Sequence, residues 1–419
     1  MDKLVVIGNG IAGHYALTNA MKINPALDLT IIYRENARTY LRTQLSGRAT
    51  GAVNDSTFFM TDENFYQSRG IHEIKGQADW IDTANHLVVL QDGRQVPYDN
   101  LCIATGSYNF IPPVETAGHA TTALDSFNYM AFDSIYTLRE LKDANAVMEK
   151  LKTAKSAIIV GGGLLGLEAA GDFMERGIAV TVVEFAPRLL PRQLDSKSAE
   201  IFLHKAEQTG IRILLSESIK TIVFEDGHLK EAVLNSGKTL AADFILFSVG
   251  VRPNTELAVK SGLHVNRGIV ADRYMRTSDP SVYTAGDCAE YEGMVYGNWS
   301  FAMASGKIAG LNCSGISEPM KSYTLQTMFN ALGVKVFSTG AVNFDDPALD
   351  SVAFGEPSTA YGKLFFKSGC LTAAVLMGNT SNQGKIIKGI EAAMTKAEAE
   401  ALFVPPDQPL ISPGETTPS

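Results

Sequence analysis

The sequence is poor in what would tie it to a metal, a membrane or a nucleic acid. Its four cysteines, Cys102, Cys288, Cys313 and Cys370, are widely scattered. No two stand at a CxxC or CxxxxC spacing, so they point neither to a zinc site, and no metal is expected, nor to a local redox disulfide. Reduced thiols in a cytoplasmic protein are the simplest expectation. No apolar run reaches the ~20 residues that cross a bilayer, so no membrane partner is expected. The apolar start Leu4–Ile7 has no basic leader and runs straight into Gly8-Asn9-Gly10, so it reads as a strand rather than a signal peptide. Basic residues are in deficit, 36 against 45 acidic ones for a net charge of −9, which argues against nucleic acid as the main partner.

What is present is glycine in two telling places. The 419 residues are enough for two or three domains, each with its own core. The chain is organised around Ala157-Ile158-Ile159-Val160-Gly161-Gly162-Gly163-Leu164-Leu165-Gly166-Leu167-Glu168, which reads as a buried strand, a tight turn and the start of a helix. Gly161 permits the turn, Gly163 lets backbone approach a pyrophosphate, and Gly166 lets helix pack on strand. The helix N-terminus would offer unpaired N–H groups and a positive dipole end to phosphates. The apolar strand Ala179–Val183 follows and Glu184 closes it, where a carboxylate accepts from both ribose hydroxyls of NAD and repels a 2′-phosphate. The chain does the same earlier: strand Leu4–Ile7, then Gly8, Gly10 and Gly13, a helix over 14–23, strand Leu29–Ile32 and Glu35. Either acid alone could be a solvated charge; as a matched pair they read as two ribose ligands.

Between and beyond these units the pattern is less uniform. Residues 40–46 are polar with weak helix signals, and Arg42 reads equally as a pyrophosphate partner or a loop residue. Residues 76–82 and 86–90 read as hairpin strands, and 98–106 as a buried strand ending in a small-residue turn. A long charged helix is expected over 126–152, helices over 196–208 and 298–312, and a β meander over 221–247. Residues 282–287 form a strand that closes on Asp287. Residues 362–377 have the texture of an antiparallel sheet, a terminal helix is expected over 384–394, and the Pro/Thr/Ser-rich tail 405–419 is expected to be disordered. Lys321, Lys335, Lys363, Lys367, Lys385 and Lys388 give the C-terminal part a basic character that suits an acidic partner or a merely solvated face.

In order, Gly8-x-Gly10-x-x-Gly13, Ala104-Thr105-Gly106, Gly161-x-Gly163-x-x-Gly166, Gly250-x-Arg252-Pro253-Asn254 and Thr284-Ala285-Gly286-Asp287 resemble the two-dinucleotide flavoproteins of the pyridine nucleotide–disulfide oxidoreductase superfamily over the first three quarters of the chain. Within it, Tyr40-x-Arg42 with Leu45, Arg192–Asp195 and Gly306–Asn312 look most like NADH:rubredoxin reductases. The implied fold class is α/β: two Rossmann-like dinucleotide-binding domains plus a small C-terminal α+β domain. The expected boundaries are 1–120 with 243–317 for FAD, 121–242 for NAD(P)H, 318–404 for an interface domain and 405–419 for the tail. The resemblance implies FAD on Gly8, Gly10, Ile11, Ala12 and Gly13, with Glu35 at its ribose and Arg42 at its phosphate or adenine. Ala78 would touch adenine, Ala104, Thr105 and Gly106 would line the cofactor, and Asp287 would hold the ribityl chain. NADH, preferred over NADPH, would sit on Gly161, Gly163, Leu164, Leu165, Gly166 and Glu184, with Gly250 nearby. Glu168 matches a glutamate that reaches the nicotinamide in relatives; its plain role is a first-turn acid on a helix dipole. Relatives carry a Pro-Pro pair and a Lys after the Arg42 position. Here Thr43, Gln44 and Gly47 stand there, which leaves Glu168 without its usual ion-pair partner unless Arg42 or Arg48 serves. Arg188, four past Glu184, leaves some room for NADPH.

The disulfide reductases of this superfamily pass electrons to a CxxxxC pair, and none exists here. Electrons are therefore expected to leave the flavin directly for a small rubredoxin-like carrier. The alternatives are an NADH oxidase, a flavin module of a nitrite or nitric-oxide reductase system, and a slow FAD/NADH-binding redox sensor. The oligomeric state stays open between monomer and homodimer.

Overall fold

In this computed structural model, residues 2–340 and 343–404 are described, together with the backbone of 410–411. The chain forms two compact units, one of residues 1–110, 138–145 and 251–323, the other of 111–137, 146–250 and 324 onward.

The first unit is built on a five-stranded parallel sheet. Its order is Val282–Thr284, Asn100–Ile103, Lys3–Ile7, Asp28–Tyr33 and His72–Lys75. Lys3–Ile7 is central and buried from Leu4 to Ile7, as a parallel strand covered on both faces must be. The chain leaves it to one side for Asp28–Tyr33 and returns on the other as Asn100–Ile103, so the topological switch lies at the glycine turn. The helix Ile11–Ile23 follows that turn and packs against Trp299–Cys313. Gly306 and Gly310 sit so close to Ala12 and Ala16 that a Cβ at either would run into the carbonyl of the facing alanine. A three-stranded antiparallel sheet, Ala78–Asp82, Leu87–Leu90 and Gln95–Pro97, adds Ile81, Val88, Leu90 and Val96 to the core.

The second unit repeats the plan. Its parallel sheet runs Ile135–Tyr136, Phe244–Phe247, Ser156–Val160, Ala179–Glu184 and Arg212–Leu215, again with the glycine-turn strand central. This moves two expected boundaries. Residues 244–247 pair with Ser156–Val160 and so belong to this unit, not to the first; the return falls at 250–251. Residues 111–120 also belong here, through the pairing of Val114–Ala117 with Ile219–Glu225.

The C-terminal part clusters with this second unit. Its antiparallel sheet has the order Gln326–Ala331, Val334–Thr339, Cys370–Met377, Ala360–Lys367, Asp350–Glu356 and Leu410–Ile411. Helices Gln383–Glu391 and Lys396–Phe403 cover it through Ile386, Ala399 and Phe403. The second of these was not expected from the sequence, although Thr395 and Glu398 form a full capping box at its start. Of the tail expected to be disordered, Leu410–Ile411 forms a short edge strand, and 405–409 and 412–419 lie outside the described residues. The helix expected over 126–152 is confined to Leu141–Lys150; a short 3-10 turn and the strand Ile135–Tyr136 occupy its first half.

One buried ion pair joins the C-terminal sheet to the second nucleotide fold. Asp195 caps the helix Ser196–Glu207 by accepting from Ser198, and its other oxygen accepts from Lys363 Nζ at 2.5 Å. The Asp195 side chain is 2% exposed and that of Lys363 18%. Lys363 is thus spent inside the unit and leaves the group of solvated C-terminal lysines. Asp195→Ala removes the cap and strands a half-desolvated ammonium, so unfolding free energy should fall by ~3 kcal/mol or more. A urea or thermal melt reads it, and an unchanged midpoint would refute the pairing.

Candidate functional site: two glycine turns and what surrounds them

The two turns share one geometry. Gly8 has φ +111° and Gly161 φ +115°, in the region that side chains avoid. A Cβ on Gly8 would strike the carbonyl of Ala104, and one on Gly161 that of Ser248, each from the strand across the switch point. A Cβ on Gly13 would strike the carbonyl of Gly8, and one on Gly166 that of Gly161. The middle glycines differ: around Gly10 and Gly163 there is nothing within 4 Å. Both serve as N-caps without a side-chain hydrogen bond, and neither helix has an acid in its first turn. Each turn therefore leaves open space in front of helix N–H groups and an uncompensated positive dipole end, the arrangement that receives an anion.

In the first unit, Glu35 and Arg42 come together. The Glu35 carboxylate accepts from Arg42 Nη2 at 2.9 Å, Tyr40 Oη at 2.7 Å and the Leu141 N–H at 2.9 Å. Three of its roughly four acceptor positions are used, leaving one. Arg42 also donates to the carbonyl of Arg139. Asp287 accepts from Ser107 Oγ and Arg139 Nη2, both at 2.8 Å. Thr105 and Asn254 exchange hydrogen bonds at 2.8 and 2.9 Å, which fixes the small-residue turn that ends in Gly106. Ala78 opens the three-stranded sheet and is half-buried against the core. Gln44 Oε1 and Asn109 Nδ2 are buried without a partner among the described residues, on the segments that carry Arg42 and Ser107. Orphaned polar atoms of this kind fit a site that expects a polar ligand.

Arg139 was missed from the sequence, because it falls within the stretch 126–152 expected as one long charged helix. It is the hub of this cluster: its side chain bonds Ser107 and Asp287, its carbonyl receives Arg42, and its N–H is held by the Asp143 carboxylate. The readable signal was Asp143 itself, an acid in the first turn that marks a helix start just after Arg139.

In the second unit, Glu184 Oε2 accepts the Gly162 N–H at 2.5 Å and Oε1 the Ala186 N–H at 2.7 Å. The acid is thereby held beside the glycine turn. Leu165 and Phe185, 46% and 80% exposed, place apolar surface next to Gly163 and Glu184. Phe185 carries no distinguishing sequence pattern. Gly250, with φ +97°, has open space around it just beyond Ser248. Glu168 is half-buried one turn into the helix; burial, then the nearby Asp172, pushes its carboxyl up to about 7. Arg42 and Arg48, its two suggested partners, are committed to Glu35 and to Asp55.

All four cysteines are free thiols. Cys102, Cys288 and Cys313 are buried in the first unit, and burial pushes the Cys102 and Cys313 thiols well above their ordinary range. A thiol held neutral is a poor nucleophile and a poor redox relay. Among the described residues, no helix is long and apolar enough to cross a membrane.

Two parallel sheets in one chain, each with a glycine turn at its switch point and an acid closing the next strand, define an oxidoreductase of the two-dinucleotide type. The chain belongs to the pyridine nucleotide-disulphide oxidoreductase family, whose pattern matches residues 2–306. The rubredoxin NAD+ reductase C-terminal domain matches residues 326–394. By family it is accordingly a pyridine-nucleotide flavin oxidoreductase. It is 30% identical to the rubredoxin-NAD(+) reductase of Pseudomonas putida, over 70% of this chain and 74% of that protein. It is 31% identical to the nitrite reductase [NAD(P)H] of Bacillus subtilis over 96% of this chain but 49% of that one, so it spans about half the length of that relative. The NADH:rubredoxin oxidoreductase of Clostridium acetobutylicum shares the fold, with TM-score 0.77 at 24% identity over 96% of this chain and 98% of that one.

The Glu168 carboxyl yields a pH prediction. Its folded pKa lies above the ordinary 4.5, so the native state holds the proton more tightly than the unfolded chain. Stability from this group is full below pH ~4.5 and is lost as pH rises through about 7, by ~1–3 kcal/mol. Glu168→Gln should flatten that part of the stability–pH curve, gaining relative to the parent at pH 8 and not at pH 4. Parallel curves for the two proteins would disprove the shift.

Proposed function

We propose that this chain is an FAD-dependent reductase that takes hydride from NADH and passes electrons, without a redox disulfide, to a small rubredoxin-like electron-transfer protein. The observation that carries it is the doubled open glycine turn in a chain whose core thiols are buried. A bound flavin accepts two electrons together and releases them singly, which couples a nicotinamide to a one-electron iron carrier.

The residues would divide the work as follows. Gly8, Gly10 and Gly13, with the N–H groups of Ile11 and Ala12, would receive the FAD pyrophosphate, since the space at Gly10 is open. Glu35 has one acceptor position left, which would take a ribose hydroxyl, and Arg42, held by Glu35, would stand at the phosphate or adenine. Asp287, aimed by Arg139 and Ser107, would accept from the ribityl hydroxyls. Ala78, Ala104, Thr105 and Gly106 would line the cofactor. Gly161, Gly163 and Gly166, with Leu164 and Leu165, would receive NADH, and Gly250 leaves room beside them. Glu184, pinned by two backbone N–H groups, would bond the adenosine ribose and disfavour a 2′-phosphate. Glu168, a carboxyl that is half protonated near neutral pH, would stand near the nicotinamide as donor or acceptor.

A rubredoxin-type acceptor is supported by the match of the C-terminal segment and by the Pseudomonas relative. The nitrite reductase relative, of which this chain spans half, favours a second reading: a flavin module that feeds a separate reductase. Anaerobic enzyme mixed with NADH and oxidised rubredoxin should bleach the acceptor rapidly. Fast flavin reduction without bleaching would reject the acceptor and keep the reductase; oxygen uptake with NADH alone would mark an oxidase.

The glycines separate binding from folding. Gly163→Ala has free space and an ordinary φ of −86°, so the fold should hold within ~1 kcal/mol while NADH binding weakens. Gly166→Ala drives a methyl into the Gly161 carbonyl and should cost ~1–3 kcal/mol of stability. Equal losses of stability in both variants would contradict the open-turn assignment.

A further inference from the structure

The loop after Glu184 carries an arginine with an unexpected owner. It folds back on the strand-end acid at its near end and on the glycine turn at its far end. Ala186 donates to Glu184 Oε1, Leu190 N–H donates to the Gly162 carbonyl at 3.1 Å, and a Cβ on Gly162 would meet the side chain of Leu189. Arg188 lies between these anchors. An arginine so placed, just past the strand-end acid, is where a 2′-phosphate would be met.

Its guanidinium is turned elsewhere. Arg188 Nη1 is 2.6 Å from Asp345 Oδ2 and donates to Ser196 Oγ at 2.9 Å, while Nη2 leans on the Pro191 carbonyl at 3.4 Å. Asp345 comes from the C-terminal segment, seated there by Phe344, which is buried and packs edge-on against Phe365 at 5.2 Å. The same carboxylate accepts the Ser196 N–H at 3.0 Å and the Ser196 hydroxyl at 3.1 Å. Burial works against its charge, but the Ser196 hydrogen bonds and the Arg188 charge outweigh it and hold the Asp345 carboxyl below the usual range. Arg188 is 26% exposed, and its Nε is buried with no partner among the described residues.

We propose that Asp345 is a coenzyme-specificity residue: it ties Arg188 to the C-terminal segment and withholds it from the adenosine end of the coenzyme, so that Glu184 alone faces the ribose. It is a positioning residue and touches no coenzyme atom. The inference rests on the NADH reading above. It also gives the C-terminal segment a share in choosing the reductant.

Asp345→Asn keeps an acceptor for the Ser196 N–H and removes the charge that holds Arg188. The experiment is anaerobic reduction of the bound flavin in the holoenzyme by NADH and by NADPH. The NADPH-to-NADH ratio of second-order rate constants should rise roughly tenfold, the worth of one charge-assisted bond to a phosphate, with the NADH constant nearly unchanged. Adding Arg188→Ala to that variant should abolish the gain. Ser196→Ala, which loosens Arg188 and leaves the Asp345 charge, should move the ratio the same way but less, and it keeps the idea testable if Asp345→Asn folds poorly. A merely structural role would lower both constants together. A parent enzyme that uses both coenzymes equally would remove the NADH reading itself. A ratio unmoved in the variants of a discriminating parent, or a gain that survives Arg188→Ala, would remove the tether alone.

Discussion

Two carbonyl oxygens, those of Ala104 and Ser248, constrain the rest of each nucleotide fold. In each parallel sheet the strand across the switch point brings its terminal carbonyl against the turn that leaves the central strand. Only a residue without a Cβ, at positive φ, can pass there. That passage aims the following helix so that its start lies on the turn, where a further glycine is needed because the turn's own carbonyl is in the way. The middle glycine is the one under no such pressure from the protein. Steric demand thus separates it from its neighbours without reference to any bound molecule.

Around these turns the charges are arranged by backbone as much as by partner charge. Glu184 is held by two N–H groups, and Glu35 by an arginine, a tyrosine and an N–H. Carboxylates held in this way need little further ordering to meet a ligand. Asp195 and Asp345 stand in the second unit, the first at a helix cap and the second against the N–H just beyond it. Asp195 joins that helix start to the C-terminal sheet through Lys363, and Asp345, itself in the C-terminal segment, joins it directly through Ser196 and holds Arg188 beside it. The C-terminal part is thus fastened to the second nucleotide fold where the loop after Glu184 ends.

Much of this was legible along the chain. Strands buried on both faces read as continuous apolar runs, as in Val5-Val6-Ile7 and Ile158-Ile159-Val160, and the glycine spacings locate the turns between strand and helix. The antiparallel character of the last segment showed in its alternation. Two misreadings have a common cause. Residues 126–152 carry helix-forming composition throughout, but 135–136 is taken into a sheet edge by pairing with Phe244–Phe247, and pairing overrides propensity. The bound expected at 243 falls short of the one at 250–251 because an apolar strand such as 244–247 has no local mark of which sheet it will join.

By itself the sequence determined the doubled strand–turn–helix plan, the acids that close the second strand of each, and the lack of a CxxxxC spacing, because these are local matters of spacing and side-chain type. Only the tertiary structure decided that Arg139 gathers Ser107, Asp287 and Arg42, that Lys363 is spent on Asp195, and that Arg188 answers to Asp345. Those partners lie far apart in the chain, and a charged side chain carries no local sign of the distant group that will satisfy it once both leave water.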